Sequence, residues 1–152
     1  MGRPHRRRRI ESPPRFGNFK PTGVPRRRLE KIELTLDEFE AIRLADYEQL
    51  EHLEASEKMA ISRPTFTRLI EKARQKLARA IIDGKELVIE GGHFDFVHTI
   101  HQCGDCGEES RQPFDEEAAD CPDCGSENVE NLAWRFMGRG RRRDRRRRER
   151  KG

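Results

Sequence analysis

Apolar residues recur at helical spacing through the first two thirds of this chain and then give way to short β-like runs. Leu36, Phe39, Ile42 and Ala45 share one helical face and predict a helix to about Tyr47. Thr35-Leu36-Asp37-Glu38 fits a capping box at its start. Leu50 and Leu53 lead into a second helix that ends at Met59, and the turn Ala60-Ile61-Ser62 follows. A third helix runs from Arg63 to about Ile82, with Phe66, Leu69, Ile70, Ala73 and Leu77 on one side, and Asp83-Gly84 stops it. Beyond it, Glu86 to Glu90 (ELVIE) reads as a strand, Gly91-Gly92 as a turn, and Phe94, Phe96 and Val97 as the start of a second β segment.

Two helices joined by a short turn, the second long and basic, form the layout of a helix-turn-helix, whose second helix enters the DNA major groove. Ser62 is a good N-cap, and Pro64 lies in the first turn, where its missing N–H removes no helical bond. Arg68, Lys72 and Gln75 fall opposite the apolar face, with Thr65 and Thr67 on its flanks. From Arg63 to Arg79 six basic residues stand against one acid, Glu71, whereas the preceding helices carry Asp37, Glu38, Glu40, Asp46, Glu48, Glu51, Glu54 and Glu57 against Arg43 and Lys58. Positive charge is therefore concentrated on one helix. Two positions depart from the usual pattern: Ala60 stands where Gly normally takes φ > 0, and Ser56 replaces the small apolar residue of the first motif helix.

Charge divides the remainder. The chain carries a net +4, but residues 1–30 hold ten basic and two acidic groups, residues 93–137 two and eleven, and residues 138–152 ten and two. Residues 1–31, with five prolines, read as an extended basic arm ordered in part around Phe16 and Phe19. Residues 138–152 have no apolar face to bury and read as a disordered tail. Such cationic arms attract phosphate without sequence preference, in a salt-dependent way. No apolar run approaches the roughly 20 residues of a membrane span, and the arginine-rich start lacks the apolar core of a secretory signal.

All four cysteines lie in paired motifs, Cys103-Gly104-Asp105-Cys106-Gly107 and Cys121-Pro122-Asp123-Cys124-Gly125. Each pair can present two thiolates from a tight turn, and two facing turns complete a tetrahedral four-cysteine site. The expectation is one structural zinc ion; an iron centre of the same geometry and a thiol redox pair are the alternatives. It also points to a reducing cytoplasm. An acidic module of some forty residues with little apolar content needs such a crosslink to fold. His98 and His101 read as strand residues, and Trp134 and Phe136 as a cap on the small core.

These residues resemble a known family. Phe19-Lys20-Pro21-Thr22-Gly23-Val24-Pro25, the run Leu34 to Asp46 (LTLDEFEAIRLAD), Met59 to Phe66 (MAISRPTF) and Gly91-Gly92 are similar in order and spacing to uncharacterised protein family 0251, domain of unknown function 134. The likeness covers about residues 1–96. It implies a small prokaryotic DNA-binding protein active in transcription, with Ser62, Arg63, Pro64, Thr65, Thr67 and Arg68 at the front of the recognition helix. The helical part also resembles region four of sigma factors, a four-helix unit.

The expected architecture is thus mainly α: a basic arm (1–31), a sigma-region-four-like helix-turn-helix domain (32–92), a four-cysteine zinc-ribbon-like β module (93–137) and a disordered tail (138–152). The expected function is sequence-specific binding of double-stranded DNA by a nucleoid-associated cytoplasmic regulator. Arg63 and Arg68 would read guanine edges, Thr65 and Thr67 would meet base edges or phosphates, and Lys72, Arg74 and Lys76 would follow the backbone. Arg6 to Arg9 could enter a minor groove, or act as a solvated tail. Other classes stay open: an RNA- or ribosome-associated zinc protein, or an adaptor that docks on RNA polymerase or another protein through its acidic module. Homodimerisation on two half-sites is a further alternative, although no heptad is visible. Enzymatic activity is not expected, since no nucleophile–base set, paired carboxylate site or phosphate-cradling loop appears.

Overall fold

A computed structural model describes residues 7–114 and 119–137. Of these residues 37% are helical and 24% lie in strands of three small sheets, so the protein is not mainly α. Three α-helices are present among the described residues, one fewer than a sigma-region-four unit carries. The chain divides into two compact units, one built mainly on Phe16–Asp95 and the other on the residues from Phe96 onward, with Ser12–Arg15.

The first unit is framed by a sheet that the helical periodicity conceals. Strand β3 (Lys31–Leu34) buries Ile32 and Leu34 and exposes Lys31 and Glu33, the period-two alternation of a strand with one face on a core. It runs parallel to β4 (Glu86–Ile89), in register from Lys31 opposite Glu86 to Leu34 opposite Ile89. On its other side β4 pairs antiparallel with β2 (Asn18–Phe19). A parallel pair needs a long crossover, and all three helices occupy it.

Helix α1 (Leu36–Ile42) starts with the expected capping box: the Thr35 hydroxyl accepts from the Glu38 amide at 3.4 Å, and Glu38 accepts from the Thr35 amide at 2.9 Å. The helix widens into a π turn at Arg43–Tyr47 before reaching α2 (His52–Lys58). Helix α3 (Arg63–Asp83) is capped by Ser62, which accepts from the Thr65 amide at 3.3 Å, and ends at Gly84 in the left-handed region with φ 64°. Ala41, Leu44, Ala55, Met59, Phe66, Leu69 and Ile70 form the helical core. The buried stripe of α3 continues to Ala80, while Leu77 lines an open apolar groove of about 520 Å³ between helices and sheet.

The extended arm expected at the N-terminus is fixed over part of its described length. Strand β1 (Arg8–Ile10) lies beside β5 (Phe94–Phe96), and Ile10 is fully buried. The buried carboxylates of Asp37, Glu40 and Glu86 explain this, because a charge taken out of water needs a partner. The arm supplies the partners. Arg8 pairs with Asp37, the Glu11 amide donates to Glu40 at 2.7 Å, and Arg26 meets Glu86 at 2.8 Å. Arg6 and the tail 138–152 lie outside the described residues.

In the second unit β6 (His98–Cys103) is the central strand between β7 (Glu109–Pro113) and β8 (Val129–Asn131), both antiparallel to it. His98 and His101 are strand residues, as expected. Leu132, Ala133 and Met137 fill the small core, Trp134 and Phe136 are half-buried, and the Thr99 hydroxyl meets the Asn131 side chain inside it.

Candidate functional site

The front of α3 is set by the turn before it. Ala60 adopts φ 56°, the left-handed conformation that Gly usually supplies, and lets the Ile61 amide return to the Ser56 carbonyl at 3.0 Å. Ser56 is buried, and its hydroxyl donates to the Leu53 carbonyl at 2.7 Å, so it fills the place of a small apolar residue without an unsatisfied group. Both departures from the usual motif are thereby accommodated locally.

On α3 itself Ser62, Arg63, Pro64, Arg68 and Lys72 are exposed, and Thr65 and Thr67 are half-buried at the edge of the face. Phe66, Leu69, Ile70 and Ala73 hold the opposite side in the core. Thr67 is tied back: its hydroxyl lies 3.0 Å from Nδ1 of His52, whose ring meets Phe66 edge-on at 5.3 Å. Arg63, Arg68 and Lys72 have no ion pair among the described residues.

Two of the expected backbone contacts are engaged elsewhere. Arg74 makes a forked pair with Asp46, Nε to Oδ2 at 3.1 Å and Nη2 to Oδ1 at 2.6 Å, and this hydrogen-bonded guanidinium holds the Asp46 carboxyl below its ordinary value. Lys76 donates to the buried Glu38 at 2.6 Å. These two residues fasten α3 to the π turn and to the cap of α1. The stretch Ser62 to Lys72 keeps three exposed cations, Arg63, Arg68 and Lys72, without ion pairs among the described residues.

The four cysteines converge. Their sulfurs lie within 4.8 Å of one another, with Cys103–Cys124 and Cys106–Cys121 both at 3.6 Å. A tetrahedral thiolate site with metal–sulfur distances of about 2.3 Å has S–S edges of about 3.8 Å, so the cluster could hold a metal ion. Matching turns deliver the pairs: the Gly107 amide donates to the Cys103 carbonyl at 3.1 Å, and the Gly125 amide to the Cys121 carbonyl at 2.8 Å. Gly107 and Gly125 close these turns at φ 80° and 73°, where a Cβ would be strained. The amides of Cys106 and Asp105, 3.5 and 3.4 Å from Cys103 Sγ, lower that thiol to about 6. Cys106 rises to about 12: the Glu108 amide opposes this, and burial and the adjacent sulfurs outweigh it. A cation held by the four sulfurs would displace whatever protons they carry.

A link between the knuckles is not evident from the cysteine spacing. Asp105 accepts from the Ser126 hydroxyl and from Asn128 Nδ2 at 3.3 Å, and the Gly104 amide donates to the Asn128 carbonyl at 2.8 Å. A Cβ on Gly104 would come within 2.4 Å of Asn128 Nδ2. The only hint is that Gly104 has no counterpart in the second motif, where Pro122 stands.

Among the described residues no helix is long and apolar enough to cross a membrane. No solved structure matches the chain. The family described as "Protein of unknown function DUF134" matches residues 1–97. A UPF0251 protein of Chloroherpeton thalassium is 59% identical over 150 residues, 99% of each chain. One from Moorella thermoacetica is 44% identical over 141 residues, 93% of this chain and 92% of its own, and one from Desulforudis audaxviator 42% over 130 residues, 85% of each. A family match across most of the chain and relatives aligned along nearly all of it lead to one conclusion: this chain belongs to the UPF0251 (DUF134) family.

Proposed function

We propose that this protein binds double-stranded DNA sequence-specifically as a transcriptional regulator, with α2, its turn and α3 acting as a helix-turn-helix. One observation carries the reading. The Ala60 turn and the Ser62 cap begin a 21-residue helix whose first ten residues hold free, exposed Arg63, Arg68 and Lys72 above a buried face. That disposition suits major-groove entry, where an arginine donates to guanine O6 and N7 in a forked geometry. Arg63 and Arg68 carry base choice, with Ser62, Thr65 and Thr67 on adjacent edges or phosphates. Lys72 meets the backbone. Arg74 and Lys76 serve first to orient the helix. Exposed Glu51, just before α2, and Glu54 and Glu57 on it repel phosphate there and favour approach along the front of α3.

In the second unit, Cys103, Cys106, Cys121 and Cys124 would hold one structural zinc ion. Bound there, zinc would supply a crosslink between the knuckles, with no coordination position left open.

Selection from random DNA on the purified protein tests the central claim. An enriched motif is expected, and Arg63→Ala with Arg68→Ala should abolish preference for it while leaving non-specific binding. If no motif emerged and structured RNA bound tightly at ~150 mM salt, the protein would be an RNA binder instead.

A further inference from the structure

We infer that Arg9 is a phosphate-binding residue presented beside the α2–α3 turn, and that the arm carrying it works as a pinned strand. The inference rests on the DNA-binding reading above. Strand β1 alternates, so Arg8 and Ile10 turn inward while Arg7 and Arg9 turn out. Four contacts hold the strand. The Arg8 amide donates to the His93 carbonyl at 3.1 Å, and the Arg9 amide to the Met59 carbonyl at 3.1 Å. Ile10 is fully buried, and the Glu11 amide reaches Glu40 at 2.7 Å.

The three consecutive arginines Arg7, Arg8 and Arg9 have different fates. Arg8 is spent on Asp37 and Arg7 on Asp95 at 3.0 Å. Arg9 is exposed, with no ion pair among the described residues. Its backbone is bonded to Met59, the residue before Ala60, three before the Ser62 cap and four before Arg63. That backbone bond sets Arg9 beside the turn leading into the basic face of α3, whose N-terminal end the macrodipole makes favourable for an anion. Because the strand is held in place, ordering it on binding removes little chain entropy, which a free tail would lose. The ligand class is a backbone phosphodiester of the duplex read by α3, and the contact carries no base information.

The test is duplex binding by the full chain, followed by fluorescence anisotropy over a salt series, for wild type, Arg9→Ala, Arg9→Lys and Arg7→Ala. Loss of one phosphate contact should weaken binding of selected and scrambled duplexes alike, by roughly fivefold at ~0.15 M salt, and reduce the salt slope by about one. Arg9→Lys should retain the slope, and Arg7→Ala should change little. Wild-type affinity and slope in Arg9→Ala, or a loss confined to the selected duplex, would overturn the assignment. A wild-type protein that bound no duplex would remove the DNA-binding reading and this inference together. Preference surviving Arg63→Ala with Arg68→Ala would remove only the reading of α3.

Discussion

Ala60 holds a backbone conformation with φ 56° that an L side chain resists, yet the turn forms around it. The left-handed region costs a residue with a Cβ about 1–2 kcal/mol, and Gly loses about 0.5–1 kcal/mol more chain entropy on folding. Ala60→Gly should therefore stabilise the first unit by roughly 0.5–1 kcal/mol and raise its thermal midpoint by a few degrees. Calorimetry on the two proteins checks this, and a lower midpoint for the variant would contradict it. Gln49, at φ 56°, holds the same conformation at the end of the π turn. Nothing in its local sequence marks it. Ala60, by contrast, is legible in the sequence, since the helix-turn-helix pattern expected there places a left-handed residue at that position.

Among the elements, helices were easier to read than strands. Helices α1 and α3 declare themselves through local signals: a capping box at Thr35, and a serine cap at Ser62 with a glycine stop at Gly84. Strand β2 has two residues and β1 three, too short for any period to register, and each is defined by a partner far away in the chain. The carboxylates of α1 gain their meaning from the same long-range contacts. Glu40 is raised to about 7, chiefly by burial, against the opposing pull of Arg43. A group whose folded value exceeds its unfolded one adds stability in full below the unfolded value and loses it as pH rises through the folded value. Glu40 should thus contribute below about 4.5 and cease to contribute above about 7. Glu40→Gln should gain on wild type between pH ~5 and ~8, by at most about 3 kcal/mol. Denaturant midpoints of the pair measured across that range check the sign, and parallel curves would show that burial does not govern this carboxyl.

The two units are stabilised differently. The first has a helical core of seven buried residues and a sheet of its own; the second has a few apolar side chains and a cluster of thiols. Metal should accordingly be a folding requirement for the second unit alone. Elemental analysis should give about one zinc per chain. Strong chelation should then collapse the amide dispersion of residues from Phe96 onward while the signals of the helices persist. Gly104→Ala, which places a Cβ against Asn128, should lower metal affinity without changing any ligand. A second unit that stayed cooperatively folded without metal would refute this account.

The order of elements α1 to α3, the caps of α1 and α3 and the grouping of the cysteines into two motifs were determined by the sequence alone. Each depends on groups within a few residues of one another, and short-range geometry survives without knowledge of the fold. Tertiary structure decided which charges are free. It turned a basic arm into a strand by offering Ile10 a buried site and Arg8 a carboxylate, and it drew Arg74 to Asp46 and Lys76 to Glu38. Ion pairing is decided by proximity in space and by desolvation, neither of which follows from position along the chain.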